Sequence, residues 1–182
     1  MQRLLIKVCV IALTLTLTVA YSLGGPTMHL TSSAFQDGGK IPLKYVRSGA
    51  GGQNVSVPLS WSGAPAGTQS FALSVVDPHP VAHNWVHWLV IDIPKDATSI
   101  SEGASGQNMP PGAQELQNSF GNAGYGGPQP PPGSGDHPYV FTLYALNVPQ
   151  VALHRSANLA AFKQAMEGKT LATATLTGYY GR

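Results

Sequence analysis

The 182-residue chain predicts a mainly β fold of the α+β kind, built as one domain with antiparallel strands and a single helix. Three observations carry this expectation. β-Branched and aromatic residues collect in short runs that suit buried or half-buried strands. Gly (21) and Pro (15) punctuate those runs, while charged residues make up only 10%, which disfavours a solvated helical bundle. One stretch alone has a helical period, and no helix separates the strands, so antiparallel pairing follows.

In chain order, Arg3 and Lys7 precede an apolar run from Val8 to Ala20. A basic start, a short apolar segment and a small residue such as Ala20 predict a signal peptide over residues 1–20, cut after Ala20 or Ser22. The run of 13 residues is shorter than the ~20 that cross a bilayer, so no stable membrane span is expected after cleavage, and residues 21–182 form the single domain. Cys9 lies before most of the apolar run and is not placed as a lipid acceptor. Cleavage removes Arg3, Lys7 and the one cysteine, leaving eight basic and eight acidic residues. Such a balance offers no field for nucleic acid, and no disulfide can form. A periplasmic or secreted location is expected.

A first strand is expected at residues 28–32, and Asp37-Gly38-Gly39-Lys40 reads as a turn. Residues 41–46 read as an edge strand, because Pro42 cannot donate to a ladder. Residues 55–61 alternate as a strand, and 70–76 and 87–93 are apolar enough to be buried strands. Residues 95–135, rich in Gly, Pro, Asn and Gln, read as one long loop, a length that is usually functional. Residues 139–146 form another strand. The helix spans 158–167: Leu159, Phe162 and Met166 share a face, Asn158 or Ser156 caps it and Gly168 closes it. Residues 170–176 alternate as the last strand.

The junction between the two buried strands carries Asp77, His79, His83 and His87. Ionisable groups at rigid strand ends beside an open loop are well placed to build a pocket, and Asp77 and His87 are expected to share one. Asp77 before Pro78 also suits a turn, and His87 beside Trp88 also suits a packed core position.

Several ordered blocks carry a family resemblance: Gly39-Lys40-Ile41-Pro42 with Tyr45; Pro58-Leu59-Ser60-Trp61 through Phe71-Ala72-Leu73; Asp77-Pro78 through His87-Trp88; Tyr125-Gly126-Gly127-Pro128 through His137-Pro138-Tyr139; and Thr177-Gly178-Tyr179-Tyr180-Gly181. Together they resemble the phosphatidylethanolamine-binding, or Raf-kinase-inhibitor-like, family in its bacterial branch. The resemblance implies a central antiparallel sheet, a second small sheet, a C-terminal helix and a small anion pocket. By motif position the pocket would use Asp77, His87, Tyr125, Pro130, Pro131, His137 and Tyr139, with His79 and Trp88 as additional candidates. Two positions depart from the family pattern: His79 replaces the second carboxylate of Asp-Pro-Asp, and Pro138 replaces the basic residue of His-Arg-Tyr.

The side chains fit that chemistry. His87, His137, Tyr125 and Tyr139 can donate to an anion, the N–H groups of Gly124, Gly126 and Gly127 can form a nest, and Asp77 is expected to aim a histidine. With no Arg or Lys in the set, weak binding that strengthens in mild acid is expected. The partner is a small anionic or phosphorylated ligand, with no cofactor and no resident metal. The first alternative is a protein-interaction or inhibitor module that docks a partner through residues 103–135. A second is a metal site on His79, His83 and His87, whose four-residue spacing suits a helix that Pro78 and Pro80 oppose. No Gly-x-Ser-x-Gly elbow is present, and no catalytic group is assigned.

Overall fold

The computed structural model describes residues 27–182. The signal-peptide reading of residues 1–20 lies outside them. Two antiparallel sheets form the fold. The smaller has the order β1-β2-β5, from β1 (His29–Thr31), β2 (Leu59–Ser62) and β5 (Ser99–Ile100). The larger has the order β6-β4-β3-β7-β8, from β3 (Ser70–Asp77), β4 (Trp85–Pro94), β6 (Gln114–Glu115), β7 (His137–Leu146) and β8 (Thr170–Tyr180).

Both faces of the large sheet are covered. Phe71, Leu73, Val75, Trp88, Val90, Tyr139 and Phe141 pack on one side with Leu59 and Trp61 of the small sheet. Ala72, Val86, Leu89, Ile91 and Leu146 pack on the other with Phe162 and Met166 of the helix α1 (Leu159–Met166). This double burial explains why β3 and β4 read as continuous apolar runs rather than as alternating ones. The Asn158 side chain accepts from the Ala161 N–H and caps α1, and Gly168 follows it at φ +68°.

Three sequence expectations change. Residues 41–46 are not a strand: Pro42 precedes a 3-10 turn over Leu43–Tyr45, and the pairing with β8 is reduced to a bridge between Lys40 and Tyr179. Pro42 has no N–H to offer a ladder, and the chain turns there instead. Strand β2 begins after Pro58, not at residue 55. The 95–135 segment is not one loop, since it contributes β5 to the small sheet and β6 to the edge of the large one. No helix among the described residues is long and apolar enough to cross a membrane.

Candidate functional site

Antiparallel order places the end of β3 beside the start of β4 and the start of β7. Asp77 is the last residue of β3, and His137 is the first of β7 with Tyr139 two residues on. Val75 pairs with Trp88, while Val76 pairs with Val86, so His87 is the extra residue of a β-bulge on β4. A bulge releases a side chain from the ladder and re-aims it. These four residues line a cavity of about 210 Å³ with Gln129. Its remaining walls are apolar: Val81, Ala82, Trp85, Phe120, Pro130 and Pro131.

His137 is fully buried, and its Nδ1 lies 2.6 Å from Asp77 Oδ2. Its Nε2 lies 2.9 Å from the Ser134 hydroxyl oxygen. That hydroxyl also lies 2.6 Å from the Pro131 carbonyl, to which it can donate. Nδ1 faces a carboxylate that only accepts, while Nε2 faces a hydroxyl that can give or take a hydrogen. Ser134, His137 and Asp77 are thus linked by hydrogen bonds in that order. The other Asp77 oxygen, Oδ1, accepts the His79 main-chain N–H at 2.9 Å. The His79 ring stacks on His137 at 3.8 Å with a 21° tilt.

His87 is held differently. Its Nδ1 donates to the Gly126 carbonyl at 2.6 Å, and the Gly126 N–H returns a bond to the His87 carbonyl at 2.8 Å. The ring meets Tyr139 and Phe120 edge to face. Burial is the main cause that pushes the His87 pKa down to about 4; the Gly126 carbonyl and Asp77 oppose the shift, and Arg47 adds to it. Arg47 lies with its guanidinium carbon 3.7 Å from the centre of the Phe120 ring, a cation–π contact on the cavity wall. It is brought there by the close pass of Gly127, where a Cβ would sit 2.2 Å from the Tyr45 carbonyl and 2.7 Å from the Arg47 nitrogen.

The Tyr139 hydroxyl is buried and has no hydrogen-bond partner. Burial first, and Asp77 second, raise its pKa; the Gln129 N–H points toward it and offsets part of that rise without reaching hydrogen-bond geometry. An unpaired buried hydroxyl on a cavity wall is uncommon and requires an explanation.

Asp77, His87, Pro130, Pro131, His137 and Tyr139 therefore meet at one cavity, as the sequence reading grouped them. Tyr125 and Trp88 do not line it. The Tyr125 hydroxyl donates to the Tyr45 carbonyl at 2.9 Å, and Trp88 Nε1 donates to Glu115 Oε1 at 2.7 Å, so both polar ends are used inside the fold. Their rings pack edge to face on each other, 5.5 Å apart. The glycine nest is also absent: the N–H groups of Gly124, Gly126 and Gly127 go to Leu116 O, His87 O and Asn54 Oδ1. The histidine that Asp77 aims is His137, not His87. His83 and His154 are exposed. Among the described residues no group of three His, Cys, Asp or Glu is placed to hold a metal. Arg47, Phe120, Trp85, Gln129 and Ser134 were not singled out from sequence, and a second arginine, Arg182, donates through Nε to the Pro130 carbonyl on the cavity wall.

Comparison with known proteins places the chain in a family and a fold. The sequence model of the phosphatidylethanolamine-binding protein family matches residues 31–181. A UPF0098 protein of Methanothermobacter thermautotrophicus is 40% identical over 156 residues, covering 85% of this chain and 99% of the relative. YbhB of Escherichia coli is 35% identical over 158 residues, covering 84% and 99%. LppC of Mycobacterium tuberculosis, named as a lipoprotein, is 39% identical over 155 residues, covering 83% and 73%. The crystal structure of Escherichia coli YbcL, described as a member of the mammalian PEBP family, superposes with a TM-score of 0.81 at 35% identity, covering 85% of this chain and 98% of YbcL. A homologue from Chlamydia trachomatis gives a TM-score of 0.75 at 33% identity, covering 86% and 99%. The cavity at the ends of β3, β4 and β7 thus sits in a bacterial member of the phosphatidylethanolamine-binding protein family, to which this chain belongs.

Proposed function

We propose that this protein reversibly binds a small phosphorylated or otherwise anionic headgroup in the cavity formed by Asp77, His87, His137 and Tyr139. The observation that carries the reading is the buried, unpartnered hydroxyl of Tyr139, a residue of the cavity wall. Leaving such a group unpaired costs about 1–3 kcal/mol, and a ligand oxygen would recover it. The name of the family model, which is that of a phospholipid-binding protein, points the same way. Arg47 and Arg182 supply positive charge beside the cavity without entering it. Binding here requires no covalent step, and the reading assigns none. A secreted or periplasmic setting is part of the proposal, supported by the basic and apolar start of the chain and by the lipoprotein name of LppC.

The test is a titration with inorganic phosphate and phosphoethanolamine between pH 5 and 8, followed by NMR on the ring protons of His87 and His137. Saturable shifts are expected in the wild type and their loss in Asp77→Ala. No shift at any pH would end the anion reading. A protein partner remains the alternative; in that case changes in residues 110–120 would disturb binding more than changes to His87.

A further inference from the structure

Two polar groups at the cavity, on Tyr139 and His87, are of opposite kinds. Tyr139 is 1% exposed and its hydroxyl has no partner, so it has a hydrogen to give. His87 commits its one hydrogen to Gly126, because a carbonyl can only accept; Nε2 of the neutral ring is therefore an acceptor, and it makes no hydrogen bond among the described residues. Gln129 and Trp85 also bring side-chain N–H groups to the cavity lining, and the remaining donors are engaged within the fold. His137 uses both nitrogens on Asp77 and Ser134, and the His79 N–H is on Asp77. The groups facing His87 from the surrounding elements are Asp77 of β3, Tyr139 of β7, the Gly126 and Gly127 carbonyls, and Arg47 across Phe120.

We propose that the cavity selects the singly protonated form of an oxyacid group, whose O–H donates to His87 Nε2 while a neighbouring anionic oxygen accepts from the Tyr139 hydroxyl. This rests on the reading of the cavity as an oxyanion site and narrows it. A fully ionised group has only acceptors and would set an oxygen lone pair against that of Nε2. A phosphomonoester at mild acid pH carries both functions. A sulfate monoester of the same shape and charge carries only acceptors.

The experiment compares methyl phosphate with methyl sulfate by calorimetric titration at half-unit steps from pH 5 to 8. Methyl sulfate does not titrate in this range, so its profile reports the protein's own groups. Methyl phosphate loses its second proton near a pKa of about 6. Methyl phosphate is expected to bind at least about tenfold more tightly than methyl sulfate at pH 5, the loss of one well-placed hydrogen bond. Its affinity should then fall about tenfold per pH unit above 6, relative to the methyl sulfate profile. Equal affinity for the two esters at pH 5, or a methyl phosphate profile parallel to that of methyl sulfate, overturns the selection while leaving the oxyanion site intact. Failure of both esters to bind overturns the oxyanion site and the selection with it.

Discussion

Replacing Tyr139 by Phe removes one oxygen and nothing else from the cavity wall. In most buried tyrosines that oxygen has a partner, and its loss destabilises the protein by about 1 kcal/mol. Here the residue is buried and its hydroxyl has no hydrogen-bond partner, so the sign reverses. An unmet buried hydroxyl costs about 1–3 kcal/mol, and the nearby Gln129 N–H places this case near the lower end. Tyr139→Phe should therefore be more stable by about 1 kcal/mol, a rise in melting temperature of about 2–4 °C for a domain of this size. Ligand affinity should move the other way. A hydrogen bond to a charged oxygen is worth about 1.5–3 kcal/mol, so methyl phosphate should bind about 10- to 150-fold more weakly. Thermal unfolding followed by circular dichroism, with and without the ester, reads both effects. A variant that melts below wild type, or binds the ester equally well, would refute the view of Tyr139 as a donor waiting for a ligand.

The His87 pKa is pushed down to about 4, whereas the unfolded chain titrates near the ordinary value of about 6.5. On acidification the unfolded state takes the proton first, so stability falls as pH drops from about 6.5 to 4, by up to an amount on the order of 3 kcal/mol. Urea unfolding at pH 7 and pH 4.5 should show this slope in the wild type and a smaller one in His87→Gln; equal slopes would contradict it. Asp77→Ala leaves the buried His137 ring facing an empty site and should destabilise by about 3–5 kcal/mol, with the Asp77→Ala/His137→Ala pair losing much less than the sum. An additive double-mutant cycle would show that the pair is not coupled. Arg47→Ala removes the cation–π contact with Phe120 and should cost about 1 kcal/mol; it should also move the His87 titration upward, since the Arg47 charge helps to hold it down. A downward shift measured by NMR would refute that assignment.

Much of this was legible in the chain because the relevant residues fall where strands end. Asp77 closes an apolar run and His137 opens another, and antiparallel pairing of β3 and β7 brings those ends together. The helix was legible from Leu159, Phe162 and Met166 and from the cap at Asn158. The bulge at His87 was not, because an extra residue in a ladder leaves no compositional trace. Tyr125 and Trp88 were grouped with the pocket by motif alone, and nothing local announced that their polar ends serve Tyr45 and Glu115. Arg47 was invisible for another reason. Its position depends on a main-chain bond to Pro128 and on Gly127 passing against Tyr45 and Arg47, contacts between segments some 80 residues apart. Strands β5 and β6, two residues each, are too short to show a period.

A carboxylate beside an anion pocket is at first sight unfavourable, and the geometry shows how Asp77 is accommodated. Both of its oxygens face N–H donors, one from His137 and one from the His79 main chain. Its charge is therefore directed along the sheet ends rather than into the cavity, where Tyr139 and His87 stand. His79 adds to this by stacking its ring on His137. Arg47 behind Phe120 and Arg182 on Pro130 make the surroundings of the cavity less repulsive to an anion. Under the proposed reading, recognition falls to the uncharged pair inside: charge at the edge would bring an anion near, a hydroxyl and a neutral imidazole would decide which oxyacid enters, and the protonation state of the ligand would be the quantity on which binding turns.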